Sequence, residues 1–187
     1  ILTSSDGSSW TSQTSGTSNG LFGIIFGNDL FVAVGGSGTI LTSNNGSSWN
    51  SQTSGVSVNI FDITFKNNSY VSVGHGGTLI SSANGSSWSS KTSNSSTELW
   101  GITYGKSIFV SVGSSGTVVT SEDGNTWTSR ISGISGSFLG ISYGNNIFVS
   151  VGYLGSSGII YTSSDGTSWN ARTSGSSNPL WGVTFSE

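Results

Sequence analysis

One hairpin motif recurs five times in this chain, and that recurrence constrains the fold more than any other feature. Its clearest copy spans residues 116–127, Gly-Thr-Val-Val-Thr-Ser-Glu-Asp-Gly-Asn-Thr-Trp. It reads as a strand, a tight Asp-Gly turn and a second strand led by a tryptophan. The five copies carry Trp10, Trp49, Trp88, Trp127 and Trp169, spaced 39, 39, 39 and 42 residues apart. The three extra residues are Tyr153, Leu154 and Gly155, inserted in a Gly-Ser-Ser-Gly segment that the preceding repeat has in its short form. Self-similarity at such a period means a repeat architecture.

Each repeat holds four strand signals. The first lies at residues 21–26, 60–65, 99–104, 138–143 and 180–185; the second at 30–34, 69–73, 108–112 and 147–151. The two arms of the hairpin supply the third and fourth. Gly, Asn and Ser clusters separate these short runs, and no window carries a helical period. Four-stranded units at this spacing predict an all-β fold, a five-bladed β-propeller of antiparallel blades forming one domain over residues 1–187. The first strand shows why such units must stack. One face carries bulky Phe22, Ile24 and Phe26, matched by Trp100, Ile102 and Tyr104, and the other carries Leu21, Gly23 and Ile25. A single blade cannot bury both faces, so each needs a neighbour.

Closure is uneven. From Trp169 to the C-terminus and on from the N-terminus to Trp10 there are 28 residues, 11 short of the period. The shortfall falls between Phe185 and Ile1, where every other repeat has its second strand. The expectation is a composite blade that joins the two termini and lacks that strand. Residues outside 1–187 or another chain are expected to fill it by β-augmentation, with self-assembly as one route. The chain opens on Ile and not Met, which adds the expectation of a piece, or a processed form, of a longer polypeptide.

Composition narrows the function classes. Only 7% of residues are charged and the formal net charge is −3, against about 25% charged in an ordinary domain. No basic patch exists to neutralise phosphates, so nucleic acid is not an expected partner. No apolar run is long enough for a membrane-spanning helix, and membrane insertion is not expected. The absence of cysteine removes disulfides, thiolate metal sites and cysteine nucleophiles.

The hairpins resemble the Asp-box (BNR-like) repeats of sialidase-like propellers and of propellers related to photosystem II assembly factors. The matching residues are Ser4, Asp6, Gly7, Ser9 and Trp10; Ser121, Asp123, Gly124, Thr126 and Trp127; and Ser163, Asp165, Gly166, Ser168 and Trp169. The family pattern usually has one more residue before the Ser/Thr-Trp pair, so this is a shortened variant. The number of blades is also similar to that of the tachylectin type of carbohydrate-binding propeller. The resemblance covers the whole chain and implies the fold; one fold hosts many activities.

The Asp-box position reads Asp6, Asn45, Asn84, Asp123 and Asp165. A hard cation prefers carboxylates, whereas a turn acceptor works equally as an amide. These positions and the five repeat tryptophans are therefore read as structural, with no metal and no cofactor implied. A sialidase-like clamp needs converging arginines. The only two, Arg130 and Arg172, occupy one repeat position on separate blades, shared with Gln13, Gln52 and Lys91. With no catalytic constellation around them, an enzyme is not expected.

Binding is the favoured reading. The loops after each second strand and before each first strand share one face, and there the repeats differ most. Asn59, His75, Glu98, Tyr153 and Asn178 are its candidate ligand contacts. Asp62, which replaces the repeat glycine of the innermost strand, is a sixth, directed toward the central channel. Polar groups beside an aromatic suit a sugar. Asn45, Asn67, Asn84 and Asn94 each begin an Asn-x-Ser/Thr sequon and are candidate glycosylation sites, Asn94 being the best placed on a loop. The sequence thus favours an extracellular or cell-surface recognition module that binds glycans or another protein surface. The alternative is a structural subunit of a surface filament, adhesin or other extracellular assembly.

Overall fold

The computed structural model describes residues 1–185. The chain begins with a small hairpin, β1 (Leu2–Thr3) and β2 (Thr11–Ser12). Four sheets of four strands follow. The first is β3 (Leu21–Gly27), β4 (Leu30–Gly35), β5 (Ile40–Ser43) and β6 (Asn50–Gln52). The second is β7 (Ile60–Lys66), β8 (Ser69–Gly74), β9 (Leu79–Ser82) and β10 (Ser89–Ser90). The third is β11 (Leu99–Gly105), β12 (Ile108–Gly113), β13 (Thr117–Ser121) and β14 (Thr128–Ile131). The fourth is β15 (Ser137–Gly144), β16 (Ile147–Leu154), β17 (Ser157–Ser163) and β18 (Asn170–Arg172). Within each sheet the strands meander in chain order, every pairing antiparallel.

Local chemistry explains the turns. The first two strands of each blade are joined by a two-residue turn: Asn28-Asp29, Asn67-Asn68, Lys106-Ser107 and Asn145-Asn146, both members at positive φ. That is the primed-turn geometry whose twist matches the flanking strands. Second and third strands are linked by a 3₁₀ turn in three blades, at Gly36–Gly38, His75–Gly77 and Ser114–Gly116. In the fourth blade the Tyr153-Leu154-Gly155 insertion lengthens both strands into a hairpin that pairs Tyr153 with Gly158 and Leu154 with Ser157.

The blades stack through their inner strands, β3 on β7, β7 on β11 and β11 on β15, and each second strand also covers the next inner strand. Small residues allow the close approach. At Gly27, Gly105 and Gly144, an added Cβ would lie under 2.5 Å from the ring of Phe65, Tyr143 and Phe185 respectively. Tyr70, buried in the second blade, donates its hydroxyl to the Gly27 carbonyl of the first. The core is a set of apolar layers between sheets, built on residues such as Val32, Val34, Ile63 and Tyr70 between the first two blades.

The remaining unit departs from a full blade. The C-terminal segment lies beside β15 as β7 lies beside β3: Phe185 sits against Gly144, and Trp181 and Gly182 against Gly140. Residues 180–185, expected as a strand, do not form one. The hydrogen-bond partner that makes an inner strand elsewhere is the second strand, and here β1 pairs only with β2 among the described residues.

Candidate functional site

The inner strands carry the site. In each, the pairing register slips by one residue: between Leu21 and Gly23, Ile60 and Asp62, Leu99 and Gly101, and Phe138 and Gly140. The skipped residues are Phe22, Phe61, Trp100 and Leu139. A bulge of this kind breaks the alternation of a strand and re-aims one side chain. All four, with Trp181 from the C-terminal segment, line one apolar cavity of about 370 Å³. Phe61 and Trp100 stack at 4.2 Å between centroids, with Phe22 tilted 6.0 Å from Phe61. Equivalent positions from five repeats meet only if those repeats form a ring, so this cavity is the mouth of a central channel.

Polar groups surround the mouth. The indole N–H of Trp100 donates to Ser114 Oγ at 2.9 Å. His75 Nδ1 lies 3.5 Å from Glu98 Oε1, bridging the second and third blades. The Ser37 amide donates to Asn59 Oδ1 at 3.1 Å, bridging the first and second. Asn178 is exposed three residues before Trp181, its backbone N–H donating to Ser176 Oγ at 3.1 Å. Tyr153 stands opposite Gly158 in the lengthened hairpin. The sequence-predicted contacts Asn59, His75, Glu98, Tyr153 and Asn178 thus sit at or beside strand ends, and none of them lines the cavity.

Asp62 follows Phe61 on β7 and differs from its expected role. Its Oδ1 accepts the Ile63 amide at 2.8 Å and its Oδ2 accepts the Ile102 amide of the next blade at 2.9 Å. Both oxygens serve backbone, so the side chain ties β7 to β11 instead of offering a free carboxylate to the channel. Burial pushes its pKa up to about 6 against the pull of those two donors.

These five lining residues were not among the sequence-predicted contacts. Their signal is visible in retrospect: a bulky residue directly precedes the repeat glycine or its Asp62 substitute, in Phe-Gly, Phe-Asp, Trp-Gly, Leu-Gly and Trp-Gly. Strand alternation alone assigned those residues to the stacking face.

The Asp-box residues lie far out on the blades and form turns. In the first hairpin Asp6 Oδ1 accepts the amides of Ser8 and Ser9 at 2.8 Å, and Ser4 Oγ accepts that of Gly7 at 2.8 Å. Asn45 and Asn84 accept the same pair of amides at 2.9 Å through a neutral carbonyl. The tryptophans close the turn, Trp10, Trp49, Trp88 and Trp127 each donating the indole N–H to the turn glycine's carbonyl. Trp169 packs on Phe138 instead, its indole N–H without a partner among the described residues. The Thr126 and Asn125 amides hold Asp123 down to about 2. At Asp165 partial burial opposes ionisation, yet the Ser168 and Thr167 amides together keep its pKa below the ordinary range. A larger groove of about 460 Å³ between the third and fourth blades is bordered by Asp123 and Asp165, each of which spends Oδ1 on the amides of its own turn. No cluster of three or more metal-ligating side chains exists among the described residues.

The arginines stay apart. Arg130 Nε donates to Thr120 Oγ1 at 2.8 Å and Arg172 Nε to Thr162 Oγ1 at 2.9 Å, as Gln13 and Gln52 do toward Thr3 and Thr42. Among the sequons, Asn94 Nδ2 donates to the Trp127 carbonyl and Asn67 Nδ2 to the Tyr104 hydroxyl, both at 2.9 Å. Asn94, the best placed by sequence, therefore has the atom that would carry a glycan engaged, while Asn45 and Asn84 use Oδ1 in their turns.

Four meandering four-stranded sheets around a channel have counterparts among solved structures. YCF48 from Cyanidioschyzon merolae superposes with a TM-score of 0.67 at 18% identity, over 90% of this chain and 61% of that one. The fold is a β-propeller. YCF48 bound to D1 peptide gives a TM-score of 0.68 at 18% identity, covering 90% of this propeller and 58% of that chain. A chain of the nidogen/laminin complex gives 0.71 at 10% identity, covering 90% and 69%. The propeller thus spans about three fifths of the length of the YCF48 chains it matches. No protein-family model and no curated protein matches it.

Proposed function

We propose that this propeller is a non-catalytic, extracellular or cell-surface recognition module that binds glycans at the channel mouth. The observation that carries the reading is the convergence of Phe22, Phe61, Trp100, Leu139 and Trp181 on one cavity of about 370 Å³. That volume lies within the range of small-ligand pockets. A sugar ring presents an apolar C–H face and a polar edge. The stacked Phe61 and Trp100 suit the first; Asn59, the His75–Glu98 pair and the Ser114 hydroxyl beside Trp100 suit the second. The scarcity of charge fits a neutral ligand. No catalytic residue is proposed.

A glycan array followed by calorimetry tests this. The expected result is saturable binding to a defined group of neutral saccharides, weakened about tenfold or more by Trp181→Ala, a substitution at an exposed site that leaves the fold intact. No binding across the array, or binding indifferent to Trp181→Ala, overturns it. A structural role in an extracellular assembly is the second reading, favoured by the unpaired edge of β1. A solvent-exposed peptide is a third outcome of the same titration, since one of the similar structures is titled as bound to a peptide.

A further inference from the structure

The incomplete unit holds a slot shaped for one β-strand. In each full blade a second strand stands between inner and third strands, and it also covers the inner strand of the next blade: β4 over β7, β8 over β11 and β12 over β15. Before β3 no strand among the described residues gives that cover. Ile24 is 55% exposed, whereas its equivalents Ile63 and Ile102 are 4% and 5% exposed. Phe26 is likewise exposed. The hairpin tells the same story from the other side. Phe31, Tyr70 and Phe109, all on second strands, pack against Trp49, Trp88 and Trp127. Trp10 has no such partner among the described residues and is 59% exposed, against 4% for Trp127. An apolar cavity of about 220 Å³ remains, with Ile1 and Leu2 on one side and Leu21, Phe22, Ile24 and Ala33 on the other.

We propose that this slot is a docking site for one extended peptide segment of the second-strand type, antiparallel to β1 and to residues 180–185. The four resident second strands define its chemistry. They read Leu-Phe-Val-Ala-Val-Gly, Ser-Tyr-Val-Ser-Val-Gly, Ile-Phe-Val-Ser-Val-Gly and Ile-Phe-Val-Ser-Val-Gly at residues 30–35, 69–74, 108–113 and 147–152. The aromatic at the second place meets Trp10 and the valines cover Ile24 and Phe26. The glycine is required at the inner rim, since an added Cβ at Gly35, Gly74 or Gly113 would fall about 2 Å from the carbonyl oxygen of Gly20, Asn59 or Glu98. Backbone hydrogen bonds supply affinity and the alternating side chains supply selection. Phe22 borders both this slot and the channel mouth, and the other lining residues of the two are different.

The test adds a synthetic peptide with the sequence of residues 106–115 to the protein of residues 1–187. The expected result is one-to-one binding, a melting temperature that rises with peptide concentration, and new hydrogen-exchange protection at Leu2–Thr3. A peptide with proline in place of the first valine is expected to fail, because it lacks a ladder donor. Ile24→Glu, at an exposed position, is expected to weaken binding about tenfold or more. Equal effects of both peptides, or none from either, overturn the proposal. Dimers that protect Leu2–Thr3 without peptide also overturn it, by making a second copy the occupant.

Discussion

Two residues of the second blade, Ser72 and Asp62, show how small departures from the repeat change local energetics. Ser111 and Ser150 donate to the carbonyls of Gly101 and Gly140 at 2.9 and 3.0 Å. Ser72 holds the same place in the second blade, yet its buried hydroxyl has no partner among the described residues, and the first blade has Ala33 there. Ser111→Ala is expected to cost about 1 kcal/mol, and Ser72→Ala to be neutral or stabilising. Chemical denaturation of the two variants checks the contrast; equal losses would contradict the hydrogen-bond assignment. Asp62 gives a pH signature. Its folded-state pKa of about 6 lies above the ordinary 3.8. A raised acid contributes stability that is full below the unfolded value and lost as pH rises through the folded one. The loss at neutral pH is about 2–3 kcal/mol. Denaturant midpoints of the native chain should therefore fall between about pH 4 and pH 7, and Asp62→Gly, the repeat residue, should flatten that fall. Superimposable pH profiles would remove Asp62 as the cause. The Asp-box acids titrate in the opposite sense and in a lower window, because their pKa values are depressed.

At the scale of the element, the two-residue turns leave room for improvement. Three use Asn or Asp, which tolerate positive φ, but the third blade uses Lys106 and Ser107 at φ 48° and 64°. Replacing them together, Lys106→Asn with Ser107→Gly, is expected to stabilise the protein by about 1 kcal/mol. Thermal unfolding reads this directly; a lower melting temperature would mean that the lysine makes a compensating contact. The inner strand is the element in which structure and function overlap. Its bulge gives up one ladder position and turns a large apolar side chain, aromatic in three blades and Leu139 in the fourth, toward the axis. Four bulges and the C-terminal Trp181 convert the crowded centre of the ring into a lined mouth.

For the whole molecule, stability should be graded around the ring. The third blade has complete neighbours on both sides and supplies buried Val110, Val112, Val118 and Val119. The β1–β2 hairpin has two residues per strand and no further strand partner among the described residues. Native-state hydrogen exchange should therefore be fastest in β1–β2 and slowest in β12 and β13, with opening free energies at least about 2 kcal/mol apart. Uniform protection would mean that the ring unfolds as a single unit despite its open blade. One close ion-pair geometry, His75 with Glu98, exists among the described residues. Cohesion thus comes from interdigitated apolar faces and from hydroxyl and amide hydrogen bonds, which salt screens little.

Much of this was legible in the chain itself. Repeat spacing, turn chemistry and two-faced strands dictate four-stranded units that must lean on their neighbours, because none can bury both faces alone. The shortfall between Phe185 and Ile1 likewise announced a unit without its second strand. The site was less legible. Alternation places Phe22 and Trp100 on the stacking face, and only the register slip, a property of paired strands, turns them inward. Asp62 reads as a channel carboxylate until the neighbouring blade brings the Ile102 amide to it. Sequence carries the periodic information, since each repeat repeats its local preferences. Which side chains meet at the axis depends on contacts between residues about forty positions apart, and those exist only once the ring has formed.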